Sequence, residues 1–317
     1  MVQREVRERE LTVTREIRIE TPAAMVLFAR EAEQDVETAC FVILLAWGMR
    51  AVLLLLVSLP LLAETAELDG AKIHYAAAGR GAHTVVLIHG WTCDHTFWDA
   101  QVEALKGRYR VIALDLPGHG RSGAAPEYSM KRFARAVNAV MVKENVRQAI
   151  LAGHSMGGAV MLEFARLYPD KVLAIAAVDA IFPEPEAAKI LASWAARFEG
   201  PEALEERRKM VQGMFTDATT AELRRKIESV MLAAPADVAA GAMRGIADLS
   251  VWREDRIDIP FVEIAAESST YVTEDLLKKR FPRATLVRVP GTGHFLHMEK
   301  PAEVNRILLE WLGAQGY

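Results

Sequence analysis

The chain has only two cysteines, Cys40 and Cys93. Cys40 lies in an apolar N-terminal stretch, which leaves one thiol for the rest of the chain. A single thiol excludes an internal disulfide there and says nothing of the redox compartment. A surplus of positive charge is also missing. A net charge of −4 and a pI near 6.1 give no reason to expect nucleic acid as a partner. The eight histidines show neither H-E-x-x-H nor another ligand spacing, so no metal is expected. No repeat or low-complexity stretch stands out. What remains is a chain 51% hydrophobic over 317 residues, enough for one large core or two modest ones.

Residues 1–38 alternate arginine with glutamate, as in Arg4-Glu5-Val6-Arg7-Glu8-Arg9-Glu10, and 39–63 are almost wholly apolar apart from Arg50. Two readings fit. The whole stretch is long enough to span a bilayer as an anchor. Alternatively, Met49-Arg50 is a basic n-region, Ala51 to Leu59 an apolar h-region, and Pro60-Leu61-Leu62-Ala63 a cleavage stretch, the layout of a secretory signal peptide. The second is preferred. It implies a secreted or periplasmic protein and a start codon placed too early, with residues 1–48 not part of it. The first implies a membrane-anchored one. No cysteine follows the apolar run, which argues against a lipoprotein anchor.

The centre of the chain is Gly153-His154-Ser155-Met156-Gly157-Gly158. The apolar run Ala149-Ile150-Leu151-Ala152 leads in, and a helical pattern from Ala159 to Ala165 leads out. Strand, tight turn and helix with serine at the apex is the context in which G-x-S-x-G marks a nucleophile elbow. Residues two before and two after the serine must lack bulk, and the helix start offers N–H groups to a developing oxyanion.

Around it, apolar strands alternate with amphipathic helices. Ala66 to Tyr75 reads as a hairpin with Asp69-Gly70 at its turn. Thr84–Ile88, Tyr109–Leu114 and Val172–Val178 read as strands, and Asp94–Leu105 and Ser129–Lys143 as helices. After Asp179 the rhythm breaks. Residues 183–252 hold four helical stretches and no convincing strand, which reads as a helical lid inserted in a core of 64–182 and 253–317. Strands resume at Ile259–Ala265 and Thr285–Val289, before a helix over Pro301–Leu312. A mostly parallel sheet with helices on both faces is expected.

Four motifs in order, His89-Gly90-Trp91, Asp115-Leu116-Pro117-Gly118-His119-Gly120-Arg121-Ser122, Gly153 to Gly158 and Gly293-His294, make the chain resemble the α/β-hydrolases of the esterase and lipase family. The resemblance covers roughly 66–313 outside the lid. It implies the α/β-hydrolase fold, Ser155 as nucleophile, His294 as base, and the Trp91 and Met156 amides as oxyanion hole. His89 and His119 read as braces, His154 as packing and His297 as lid-facing, while His74, His83 and His95 carry no signal. The acid departs from the family pattern, because no aspartate follows the 259–265 strand before Asp275. Asp179, after the preceding strand, is favoured, with Glu267 the alternative and Glu263 behind both. The implied activity is a cofactor-free serine hydrolase, a carboxylesterase or lipase acting on a small-molecule ester. Lactonase, carbon–carbon hydrolase, perhydrolase and a receptor-like relative are its rivals. Epoxide hydrolases and dehalogenases of this fold carry aspartate where Ser155 stands. Met210, Met214, Phe215, Met231 and Met243 suggest an apolar acyl pocket.

Overall fold

Thr84–Ile88 lacks polar alternation because both of its faces are covered. Val85 and Leu87 pack on one side with Trp98, Leu308 and Leu312, and Val86 and Ile88 on the other with Phe133 and Val137. Each such side chain contributes about 1.5–3 kcal/mol on burial, so a strand covered twice is apolar throughout. The computed structural model describes residues 62–181, 185–270 and 272–317. The expected signal peptide or anchor and the segment before it, residues 1–61, lie outside the described residues.

The strands are β1 (Leu62–Leu68), β2 (Ala71–Ala78), β3 (Thr84–Ile88), β4 (Arg110–Leu114), β5 (Ala149–His154), β6 (Val172–Val178), β7 (Phe261–Ala266) and β8 (Ala284–Val289). They form one sheet in the order β1-β2-β4-β3-β5-β6-β7-β8. β2 is antiparallel to β1 and β4, and the other pairs are parallel. The β1–β2 turn falls at Asp69-Gly70, both with positive φ (51° and 82°), as the sequence predicts. β1 begins earlier than expected, at Leu62, so cleavage after Ala63 would remove the two residues that pair with Ala77 and Ala76.

The core helices are α1 (Asp99–Leu105), α2 (Met130–Lys143), α3 (Met156–Leu167), α8 (Glu274–Arg280), α9 (Leu296–Glu299) and α10 (Pro301–Ala314). Between β6 and β7 the chain builds α4 (Pro185–Arg197), α5 (Ala203–Gly213), α6 (Ala221–Ala233) and α7 (Ala236–Ala247), with α4 against α7 and α5 against α6. This helical insertion stands where the sequence breaks its strand–helix rhythm.

A buried carboxylate pins the loop after β4. Asp115 Oδ1 accepts from the N–H and Nδ1 of His95, both at 2.8 Å, and Oδ2 accepts from His74 Nδ1 at 3.0 Å and Arg121 N–H at 2.9 Å. Burial alone would raise the Asp115 pKa, but the hydrogen bonds and charge of His95 hold it well below the usual carboxylate range. Burial also works against a charged His95, and the same carboxylate overcomes it, raising the pKa. His74, His95 and Asp115 are the set of metal-ligand-type side chains that cluster among the described residues. Both Nδ1 atoms serve the carboxylate. Close by, His89 Nε2 accepts from Leu116 N–H at 2.9 Å, so Nδ1 carries the proton and donates to Gly90 O at 2.8 Å.

Two predictions follow from these buried groups. Asp115→Asn strips the charge from a buried pair, a loss of about 3–5 kcal/mol that lowers Tm by roughly 10 °C for a domain of this size. Thermal unfolding at neutral pH measures it, and an unchanged Tm would show that the clamp holds nothing. The second concerns acid. Burial pushes His89 and His297 down to about 3 and His119 down to about 4. The unfolded chain, with histidines near 6.5, binds more protons below that value, so stability is lost as pH falls from 6.5 towards 4. Each ring costs about 2 kcal/mol at about pH 5, and the raised pKa of His95 offsets one of them in part. Tm should therefore fall by on the order of 10 °C between about pH 7 and 5. A flat profile would contradict neutral buried rings.

Candidate active site

β5 ends at His154 and α3 starts at Met156, so Ser155 must reverse the chain alone. It does so at φ 51° and ψ −115°, a conformation that costs a non-glycine residue about 1–3 kcal/mol. Neighbours hold it there. Its N–H donates to Val178 O at 3.1 Å, and its carbonyl accepts from Gly158 N–H at 2.9 Å. A Cβ at Gly157 would stand 2.6 Å from Ile88 O, so the helix start lies directly on β3 only because that residue is glycine.

The parallel register brings the next group alongside. His154 pairs with Val178, which puts Ser155 and Asp179 one residue beyond matched positions on adjacent strands. Asp179 also has positive φ, 41°. Its Oδ2 accepts from His294 Nδ1 at 2.7 Å and its Oδ1 from Ala266 N–H at 3.0 Å. Burial would raise its pKa, but the hydrogen bond and charge of His294 and the Ala266 amide lower it. An ionised carboxylate can only accept, so the proton of the His294–Asp179 bond resides on Nδ1.

The other two acid candidates stand elsewhere. Glu267 is exposed at the turn after β7, and its carboxylate makes no hydrogen bond to His294. Glu263 is wholly buried, and its Oε1 accepts from Ala180 N–H at 2.9 Å, bracing the turn that carries Asp179. Burial, with the Asp179 charge adding to it, pushes the Glu263 carboxyl well up.

Met156 and Trp91, the expected oxyanion donors, are both buried. Among the described residues, the N–H of neither donates a hydrogen bond to the protein, so both are free for an incoming oxygen. The Trp91 indole N–H donates to Ala239 O in α7 at 2.8 Å, and its ring stacks on Phe198 at 5.0 Å. The loop bearing the Trp91 amide is thus fastened to the helical insertion, which sequence reasoning missed.

Ser155, Asp179 and His294 share one cavity of about 910 Å³ with Trp91. Trp194, Met210, Met214, Met243 and Ile246 make its apolar side, and Ser268, Ser269 and Thr270 bring hydroxyls from the turn after β7. Of the five residues expected to form an apolar pocket, Met210, Met214 and Met243 line the cavity. Met231 is buried elsewhere, and Phe215 packs near Phe295 at 6.3 Å.

His297 does not face the insertion. It is fully buried in the α/β core, with its ring 4.7 Å from Trp98 and 4.5 Å from His154. Its spacing from His294 suggests one helical face, but α9 begins only at Leu296 and the residues before it are loop. His74 and His95, silent in the sequence, are the partners of Asp115, and only the folded chain brings them to it.

A model of the alpha/beta hydrolase family matches residues 85–307. The chain is 30% identical over 260 residues to the dihydrolipoyllysine-residue acetyltransferase component of the acetoin cleaving system of Pseudomonas putida, covering 78% of this chain and 69% of that protein. It spans between 41% and 69% of the length of the first three curated relatives it matches. Its structure is similar to a malate-bound thermophilic esterase from Thermogutta terrifontis, with TM-score 0.71, 25% identity, and coverage of 80% of this chain and 99% of that one. Est816, an N-acyl homoserine lactone degrading enzyme, is similar with TM-score 0.67 and 26% identity, over 78% of this chain and 99% of its own. A match over most of the chain, on this sheet and this elbow, has one consequence: the protein belongs to the alpha/beta hydrolase family.

Proposed function

We propose that this protein is a serine hydrolase that cleaves carboxylic esters through an acyl-enzyme. The observation that carries the reading is the 2.7 Å hydrogen bond from His294 Nδ1 to Asp179, made in the cavity that also holds Ser155. A serine hydroxyl is a poor nucleophile until a base takes its proton. With Nδ1–H committed to Asp179, Nε2 of His294 is the bare nitrogen that can do so. Ser155 Oγ attacks the ester carbonyl, and the Trp91 and Met156 amides take the charge that develops on its oxygen. The His294 imidazolium, stabilised by ionised Asp179, returns the proton to the departing alcohol. Water then repeats the sequence on the acyl-enzyme and releases the acid. Similarity to an esterase agrees with this chemistry. Lactones, which are cyclic esters, are a second reading favoured by the similarity to Est816.

Ser155→Ala should lower ester turnover by about 10⁴-fold or more and abolish labelling by a fluorophosphonate, because these groups act as a unit. Retention of a tenth of the activity would end the elbow reading. A paired comparison tests the acid. Asp179→Asn should cost about 10²- to 10⁴-fold in kcat with a smaller change in KM, and Glu267→Gln less than about tenfold. The reverse ranking would move the acid to Glu267.

A further inference from the structure

We propose that His154 is a positioning residue that holds the base in place through the backbone of His294. This role rests on the hydrolase reading above. His154 closes β5 and is 1% exposed, and its Nε2 lies 2.9 Å from the carbonyl oxygen of His294. A carbonyl can only accept, so His154 must donate, and its proton is on Nε2. Its Nδ1 has no hydrogen-bond partner among the described residues. Burial, together with the neighbouring His297 and His294, keeps the ring neutral. The fold thus tolerates one bare buried nitrogen on a ring whose other nitrogen is committed to the base.

The ring also lies between Gly90 and the residues that follow β8. A Cβ at Gly90 would come within 2.8 Å of His154 Nδ1 and 3.2 Å of Ser155 Cβ, so the backbone beside the Trp91 amide lies directly on the ring. On its other sides stand the rings of His294 at 4.7 Å, Phe295 at 5.6 Å and His297 at 4.5 Å. Asp179 fixes His294 by its side chain, and His154 fixes it by its backbone. Two anchors at opposite ends of one residue leave the imidazole little freedom to drift from Ser155. Misplacement by about 1 Å is enough to cost on the order of 10²-fold in rate. A neutral histidine suits the task. It donates one hydrogen bond, is flat enough to fit against Gly90, and adds no charge beside the imidazolium that forms on His294.

The test compares two variants of similar volume. His154→Gln retains an N–H donor, and His154→Met has none. With p-nitrophenyl butyrate, His154→Met should lose about 10- to 100-fold in kcat with KM within about twofold, and react with fluorophosphonate more slowly by a similar factor. His154→Gln should recover to within about fivefold of the wild type. Equal losses in both variants, or none in either, would show a packing role and overturn the proposal. Should His154→Met fail to fold, long-range ¹H–¹⁵N spectra of the wild-type imidazoles read the tautomer directly. Between about pH 6 and 8, His154 should show a protonated Nε2 and a bare Nδ1. A proton on Nδ1 would overturn the role. Wild-type protein that reacts with neither probe, whatever its tautomer, would instead overturn the hydrolase reading and this role with it.

Discussion

The hydrogen bond between His294 and Asp179 joins groups 115 residues apart, and the rest of the site is arranged so that it can form. Asp179 has to leave β6 with positive φ, which the Ala266 amide, the Ile264 carbonyl and the buried Glu263 together enforce. His294 has to arrive from the far edge of the sheet, and the loop that brings it is tied down by Gly293 N–H donating to Glu299 at 2.6 Å. Strain at both Ser155 and Asp179 is held by the same pair of strands, since the Ser155 amide bonds the last carbonyl of β6. Parallel strands end together on one side of a sheet, so two strained turns on neighbours place their side chains in one cavity.

The helical insertion gives that cavity its character. It supplies most of the apolar wall, and the Trp91 indole binds α7 to the loop whose amide faces the proposed oxyanion. The apolar wall and the loop bearing the Trp91 amide are therefore joined through one side chain. The turn after β7 carries no aspartate, its exposed Glu267 makes no hydrogen bond to His294, and serine and threonine line the cavity there.

Much of this was legible in the sequence because it rests on local rules. Apolar runs with no alternation are strands covered on both faces, Asp-Gly is a hairpin turn, and glycines two residues either side of a serine are an elbow. The carboxylate partner of His294 was half legible: the sequence shows that no aspartate follows β7 before Asp275, but only the folded chain shows that Asp179 bonds His294 and Glu267 does not. His74 and His95 gave no signal because their partner, Asp115, is 41 and 20 residues away. α8 was missed because charged residues dominate Glu274–Arg280, and only Leu277 is buried. His297 was misread because a spacing of three residues implies a shared face only inside a helix.

The central claim is that Asp179, from the end of β6, orients the base. Proton NMR tests it most directly. A hydrogen-bonded Nδ1–H between imidazole and carboxylate gives a resonance far downfield of the amide envelope. The account predicts that this signal is present in the wild type, absent in Asp179→Asn and unchanged in Glu267→Gln. Its survival in Asp179→Asn together with its loss in Glu267→Gln would contradict the account.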